Sequence, residues 1–275
     1  MPNPWTGKGN PYTRTEVIER LRDTISKGKA IIAAGAGTGI SAKFIERGGA
    51  DLVIVYNSGR FRMAGHGSTA GMMAYGDANA VAMEIGEYEV LPVVEEIPVI
   101  CGVHATDPRR RMWHWLGKVK DMGFSGINNF PTHTIIDGKF RQILEETGMS
   151  VKKEFETVAL ARKMEMFTIV YVGSPEESKA MAEAGADVII AHVGTTVGGS
   201  IGVTNATMSL PEAAKSPRAS STPPSPSART SSSSRTAGRS TRRRTPPSST
   251  SIPTPTVSSA PPASSAWLSS SRSPT

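Results

Sequence analysis

The sequence predicts an α/β fold built on a parallel sheet, and three observations predict it. Six short apolar runs, of the kind that form strands buried on both faces, alternate with helical segments. Three of the helices close on Gly-Ala-Asp or Gly-Phe turns that lead straight into the next strand. Polar and titratable side chains gather just after the strands, where a (β/α)₈ barrel assembles its site.

Thr15 to Lys27 reads as an amphipathic helix because Val17, Ile18, Leu21 and Ile25 share one face. An apolar strand over Ala30 to Ala34 leads into Gly35-Ala36-Gly37-Thr38-Gly39-Ile40-Ser41, and Ser41 to Arg47 is helical, ending at Gly48-Gly49. The second strand starts at Asp51 and runs into Tyr56, Asn57 and Ser58. Residues 69–88 are helical in part, after a loop rich in Gly and His. The third strand starts at Pro98, and a helix covers Arg111 to Gly123. The fourth starts at Phe124 and is followed by helical segments through Leu144 to Gly148 and over Glu154 to Met164. The fifth starts at Phe167, a helix spans Pro175 to Ala184, and the sixth strand starts at Asp187.

Two architectures fit this rhythm, a doubly wound open sheet and a barrel. Gly37-Thr38-Gly39-Ile40-Ser41-Ala42 matches GxGxxA between a strand and a helix, but the second strand lacks the terminal acid that would hold a ribose. The glycines read as a phosphate-sized or tight-turn feature, and no nicotinamide, flavin or pyridoxal phosphate is expected. The strand ends favour the barrel. The second supplies Asn57, Ser58, Arg60, Arg62 and His66; the third His104, Thr106, Asp107 and Arg109; the fourth Asn128, Asn129, Thr132 and His133; the sixth His192, Thr195 and Thr196. Four of the five histidines lie in these loops, which is more than a satisfied core histidine would explain. No lysine lies in or at the end of a strand, which sets aside Schiff-base chemistry, and the absence of HxH and HExxH sets aside a zinc hydrolase.

Composition changes sharply near Lys215. Residues 216–275 contain no Asp, Glu, Lys, Asn, Gln, His or Tyr, and Ser, Pro, Thr and Ala fill 47 of 60 positions. The missing residue types all have codons with A in the second position. A GC-rich gene read one base out of register has this vocabulary, so the expectation is an incomplete barrel domain over 1–215 followed by a frameshifted, disordered tail over 216–275. A genuine Ser/Pro-rich segment, too poor in apolar surface to fold, is the alternative. The tail also carries the charge. It holds eight of the 31 basic residues and none of the 24 acids, so the overall +7 becomes −1 for residues 1–215. Nucleic-acid binding is therefore not expected.

Cys101 is the single cysteine, which excludes an intrachain disulfide, and its apolar strand reads as a buried position rather than a nucleophile's. The N-terminus lacks the apolar stretch of a signal peptide, and no run approaches the ~20 apolar residues of a membrane span. A soluble, cytoplasmic protein is expected.

YNSGRFRMAGHGS, YGDANA, GVHATDP, NNFPT with IDGKF, LEETGM and HVGTTVGGSIG, in this order from Tyr12 to Ala214, resemble the phosphoenolpyruvate hydrolase-like family of TIM-barrel signal-transduction proteins. The resemblance implies a (β/α)₈ TIM barrel of the phosphoenolpyruvate/pyruvate type, present here as about six β/α units, with the last two replaced by the tail. It implies Mg²⁺ in enzymes of the wider superfamily, for which Asp107 is the one acid the third strand offers, and a homo-oligomer in the intact family member. The family also includes plant proteins associated with antiviral defence.

On these grounds the expected activity is hydrolysis, or carbon–phosphorus or carbon–carbon cleavage, of a small phosphorylated or phosphonylated 2-oxo acid or enol phosphate. Arg60 and Arg62 would clamp its anionic groups. His104 and His192 would act as general acid and base, Asp107 would orient a histidine or hold the metal, and Asn57, Ser58, Asn129 and Thr196 would bind substrate. A non-catalytic barrel that senses a small anion, signals or inhibits is the alternative.

Overall fold

The computed structural model describes residues 9–195 and 198–204. Thr196 and the stretch 216–275, with the domain boundary near 215, lie outside the described residues. Six strands, β1 (Ala33–Ala36), β2 (Leu52–Val55), β3 (Val99–Gly102), β4 (Gly126–Asn128), β5 (Phe167–Val172) and β6 (Val188–Ala191), form one parallel sheet in the order β1-β2-β3-β4-β5-β6. A doubly wound sheet reverses its order at a switch point. Strictly sequential order means that every crossover runs the same way around, and strand twist then curls the sheet toward closure. The chain thus forms six β/α units of a TIM barrel.

Eight α-helices accompany the strands among the described residues: α1 (Arg14–Ser26), α2 (Gly39–Arg47), α3 (Asn57–Met63), α4 (Ala78–Ile85), α5 (Met112–Met122), α6 (Gly138–Glu146), α7 (Lys152–Lys163) and α8 (Pro175–Glu183). Side chains alternate across each strand. Leu52, Ile54, Ile100, Phe167, Ile169 and Ile190 form the inner layer, while Val53, Val55, Val99, Cys101 and Ile127 pack outward with Ala82, Ile85, Leu116 and Val119 of α4 and α5. Burial on both faces explains why the strands read as continuous apolar runs. Cys101 is fully buried, and burial pushes its thiol pKa up, as befits a core residue.

Helix α1 lies against the N-terminal ends of the strands. A Thr13–Glu16 capping box starts it, and Val17 and Leu21 join the inner layer. Arg14 pairs with Asp187 at 2.5 Å, Arg20 donates to Glu96 O at 2.6 Å and Thr24 to Asp51 at 2.7 Å, so the helix is tied to the starts of β6, β3 and β2. With this end plugged, the mouth at the opposite end is where a ligand can enter.

The structure departs from the sequence reading in two places and divides a segment expected to be partly helical. β1 begins at Ala33 rather than Ala30, because its ladder to β2 starts where Asp51 N and Leu52 N donate to Ile32 O. The segment after β2, expected as loop, winds into α3. Residues 69–88 divide into a 3₁₀ turn (Ser68–Met72), α4 and a π-turn (Gly86–Val90). The π-turn presses Gly86 onto Phe124, where a Cβ would lie 2.1 Å from the ring.

Candidate functional site

The inward-facing positions at the C-terminal ends of the strands form one aromatic floor. The Tyr56 ring centroid, just past β2, lies 4.7 Å from that of Phe130, just past β4. Phe130 stands 6.4 Å from Tyr171 on β5, and Tyr171 stands 5.3 Å from His192, just past β6. Helix α3 turns Arg62 back over this floor, so that its Nη2 donates to Tyr56 Oη at 3.2 Å and its guanidinium carbon sits 5.2 Å from the ring centroid. Gly35 of β1 makes the room. A Cβ there would lie 2.6 Å from Tyr56 Oη and 2.8 Å from Arg62 Nη2.

These groups are hydrogen-bond donors. Burial, aided by Tyr56 and opposed by Arg62, raises the Tyr171 pKa, so its phenol stays protonated at all ordinary pH. Burial lowers the His192 pKa, which favours neutral imidazole. Gly194 N donates to His192 Nδ1 at 3.2 Å, which assigns the proton of that neutral ring to Nε2. Among the described residues no carboxylate pairs with Arg62, and its Nε is buried without an acceptor. A guanidinium, a protonated phenol and an imidazole N–H around one apolar floor can hold a carboxylate, phosphate or enolate oxygen.

The other residues singled out by sequence have partners of their own. Asn57 Nδ2 donates to Gly71 O at 2.8 Å and Ser58 Oγ to Ser68 O at 2.9 Å, pinning the 3₁₀ turn to α3 from buried positions. Arg60 points outward to Glu84 and Glu89, at 3.4 and 3.3 Å. Asn129 continues the β4–β5 ladder with its side chain, accepting from Tyr171 N at 2.7 Å and donating to Tyr171 O at 3.0 Å. It also donates to Glu154 of α7 at 2.6 Å. Glu154 accepts from Thr132 Oγ1 and His133 N as well, and burial nevertheless pushes its pKa up to about 7. Asn129 thereby sets the height of Tyr171 in the mouth without facing it.

His104 is held similarly. Asn79 accepts from its N–H at 2.9 Å and donates to its carbonyl at 3.1 Å. The His104 ring bonds Pro131 O through Nδ1 and Thr106 Oγ1 through Nε2, and Thr106 Oγ1 meets His133 Nε2 at 3.3 Å. Burial, with His104 and Arg141 nearby, lowers the His133 pKa to about 4.

Asp107 is enclosed by cations. Its Oδ1 accepts from Arg109 N at 2.9 Å and its Oδ2 from Asn79 Nδ2 at 3.2 Å and from Arg110. Burial pushes its carboxyl pKa up, but these bonds outweigh burial and hold it below the usual range. Both oxygens are committed, so Asp107 does not fit a Mg²⁺ ligand. Among the described residues, no group of three or more His, Cys, Asp or Glu side chains converges to hold a metal.

Sequence reasoning named Arg62 and His192 but passed over Tyr56, Tyr171 and Gly35. A signal was present. Phe167, Ile169 and Tyr171 alternate on one face of β5, so the last inward position of that strand carries a phenol. Tyr56 occupies the equivalent place after Leu52 and Ile54.

The family model for phosphoenolpyruvate hydrolase-like proteins matches residues 16–222. The ToMV resistance protein Tm-1(GCR237) and the ToMV susceptible protein tm-1(GCR26) of Solanum lycopersicum are each 56% identical over 200 residues, covering 73% of this chain and 26% of their own length. The chain spans about a quarter of these relatives. A crystal structure of phosphonopyruvate hydrolase complexed with oxalate and Mg²⁺ aligns at 18% identity, covering 64% of this chain and 62% of that one, with a TM-score of 0.41. With its ordered barrel motifs, its sequential parallel sheet and a family match over most of its length, the chain belongs to the phosphoenolpyruvate hydrolase-like family.

Proposed function

We propose that the mouth binds a small anionic 2-oxo acid or enol phosphate and that the protein acts on it as a hydrolase or lyase. Arg62 carries this reading. It is a guanidinium at the mouth of the barrel, bonded to a phenol, with no carboxylate partner among the described residues. The anionic end of the ligand takes its free donors. In hydrolysis of a carbon–phosphorus bond, water attacks phosphorus, the phosphoryl group leaves as phosphate and the bonding pair passes into an enolate, to whose oxygen Tyr171 Oη–H and His192 Nε2–H are the available donors. The proton that the attacking water loses ends on the product carbon, while neutral His192 steadies the enolate oxygen through Nε2–H without giving that proton up. No step runs through Asp107 or a metal. A cytoplasmic location belongs to the same reading, since substrates of this class are intracellular metabolites.

A specific observation favours a second reading, a barrel that senses or inhibits without turnover. The described mouth consists of donors and offers no carboxylate base, and the two tomato relatives are named for virus resistance and susceptibility at equal identity. Calorimetry with phosphate, pyruvate, phosphoenolpyruvate and phosphonopyruvate, beside assays for phosphate release and pyruvate formation, separates the two. Turnover abolished by Arg62→Ala supports the enzyme, and binding without turnover supports the sensor. No binding of any of the four refutes both.

A further inference from the structure

A second cleft lies outside the mouth, on the rim between the starts of α4 and α5. It encloses about 550 Å³, and its lining includes Asp77, Arg109, Arg111, Trp113, Trp115 and Lys118. The volume is in the range of small-molecule sites. Its charges sort into two sets. Arg109 and Arg110 are both bonded to Asp77 and Asp107, at 2.8 Å for Arg109 to Asp77 and 2.6 Å for Arg110 to Asp77. Arg111 and Lys118 have no carboxylate partner among the described residues, which leaves the cleft net cationic.

The aromatic groups are sorted too. Trp115 already carries the Arg110 guanidinium 4.5 Å from its ring centroid, while its Nε1–H is buried without an acceptor. Trp113 is 60% exposed at the same opening, with the His114 ring edge-on at 5.5 Å. Helix α5 begins at Met112, and no side chain caps its first turn. A helix start lacking a side-chain acceptor favours an anion.

We propose that this cleft is a binding site for a free nucleoside phosphate. The base stacks on the exposed face of Trp113, and the phosphates lie between Arg111, Lys118 and the start of α5. An exposed indole and unpaired cations around one opening match a ligand with a planar apolar part and a multiply charged part. The paired Asp77–Arg110–Asp107 group is the rigid wall that holds them apart.

The test is equilibrium binding of ATP and of inorganic triphosphate to the full chain, with Trp113→Ala, Lys118→Glu and Arg62→Ala variants. ATP is expected to bind more tightly than triphosphate, and Trp113→Ala to weaken ATP about tenfold while leaving triphosphate unchanged, as loss of a stacked base implies. Lys118→Glu should weaken both, and the preference for ATP over triphosphate should persist in Arg62→Ala, which removes only what the mouth binds. Equal affinity for ATP and triphosphate, or an unaltered Trp113→Ala variant with an unchanged melting temperature, would overturn the proposal. So would tighter binding of a single-stranded oligoadenylate than of ATP, which would assign the cleft to nucleic acid. Should a variant fail to fold, the wild-type preference for ATP over triphosphate still decides the matter.

Discussion

Glu154→Gln is expected to change how stability depends on pH. The Glu154 carboxyl is 1% exposed, and burial pushes its pKa from 4.5 to about 7, against hydrogen bonds from His133 N, Thr132 and Asn129. A folded-state pKa above the unfolded value means that the native protein holds the proton more tightly. The linked stability is complete below about pH 4.5 and is lost as the pH rises through about 7. At 1.36 kcal/mol per pH unit, a shift of this size is worth about 3 kcal/mol. Gln cannot ionise, so it lacks that slope. It also sets an amide N–H₂ where Asn129 now donates at 2.6 Å, at a constant cost of about 1 kcal/mol. The variant should therefore be close to wild type near pH 5 and about 2 kcal/mol more stable near pH 8. A swing of about 2 kcal/mol corresponds to roughly 4–8 °C in melting temperature for a domain of this size. Thermal unfolding of both proteins from about pH 5 to 8 measures it. Parallel profiles would show that Glu154 does not titrate in this window, and its raised pKa would be refuted.

Three further outcomes follow from the site. Arg62→Ala should abolish binding of phosphate or phosphoenolpyruvate with little change in melting temperature, while Arg60→Ala should leave binding intact and cost about 0–1 kcal/mol, as a half-exposed ion pair does; calorimetry with both variants distinguishes them. The His192 pKa is lowered, so the ring should remain neutral until the pH falls below its ordinary 6.5. Anion affinity should then rise only in that acidic range, as imidazolium forms, and a flat profile in wild type, or the same rise in His192→Phe, would remove His192 from the site. Gly37→Ala should cost about 3 kcal/mol, because its Cβ would lie 2.1 Å from Gly59 O and neither backbone can yield cheaply; an unchanged urea midpoint would contradict this.

The sequence by itself determined the class of fold. Strands buried on both faces must be apolar at every position, so β2, β3 and β5 are visible as runs, and the glycine that ends α5 at φ 109 marks its turn to β4. It also placed Arg62 and His192 just after strands. It did not separate polar residues that face the mouth from those that hold the strand ends. Asn129 and Asn79 replace missing ladder bonds with side-chain amides, and Asp107 answers two arginines. Asn129 and Asp107 follow strands, where chemistry would also be expected, while Asn79 reaches the end of β3 from α4. Which way such a side chain points depends on whether the last backbone donor of the strand finds a carbonyl or needs an amide, and that is settled by the neighbouring strand and helix. Tertiary structure alone decided that Arg60 leaves the mouth while Arg62 enters it. The two are on one turn of α3, a helix that the sequence presented as a loop. In a loop, both would be free to reach a ligand. On a helix, residues two apart face nearly opposite ways.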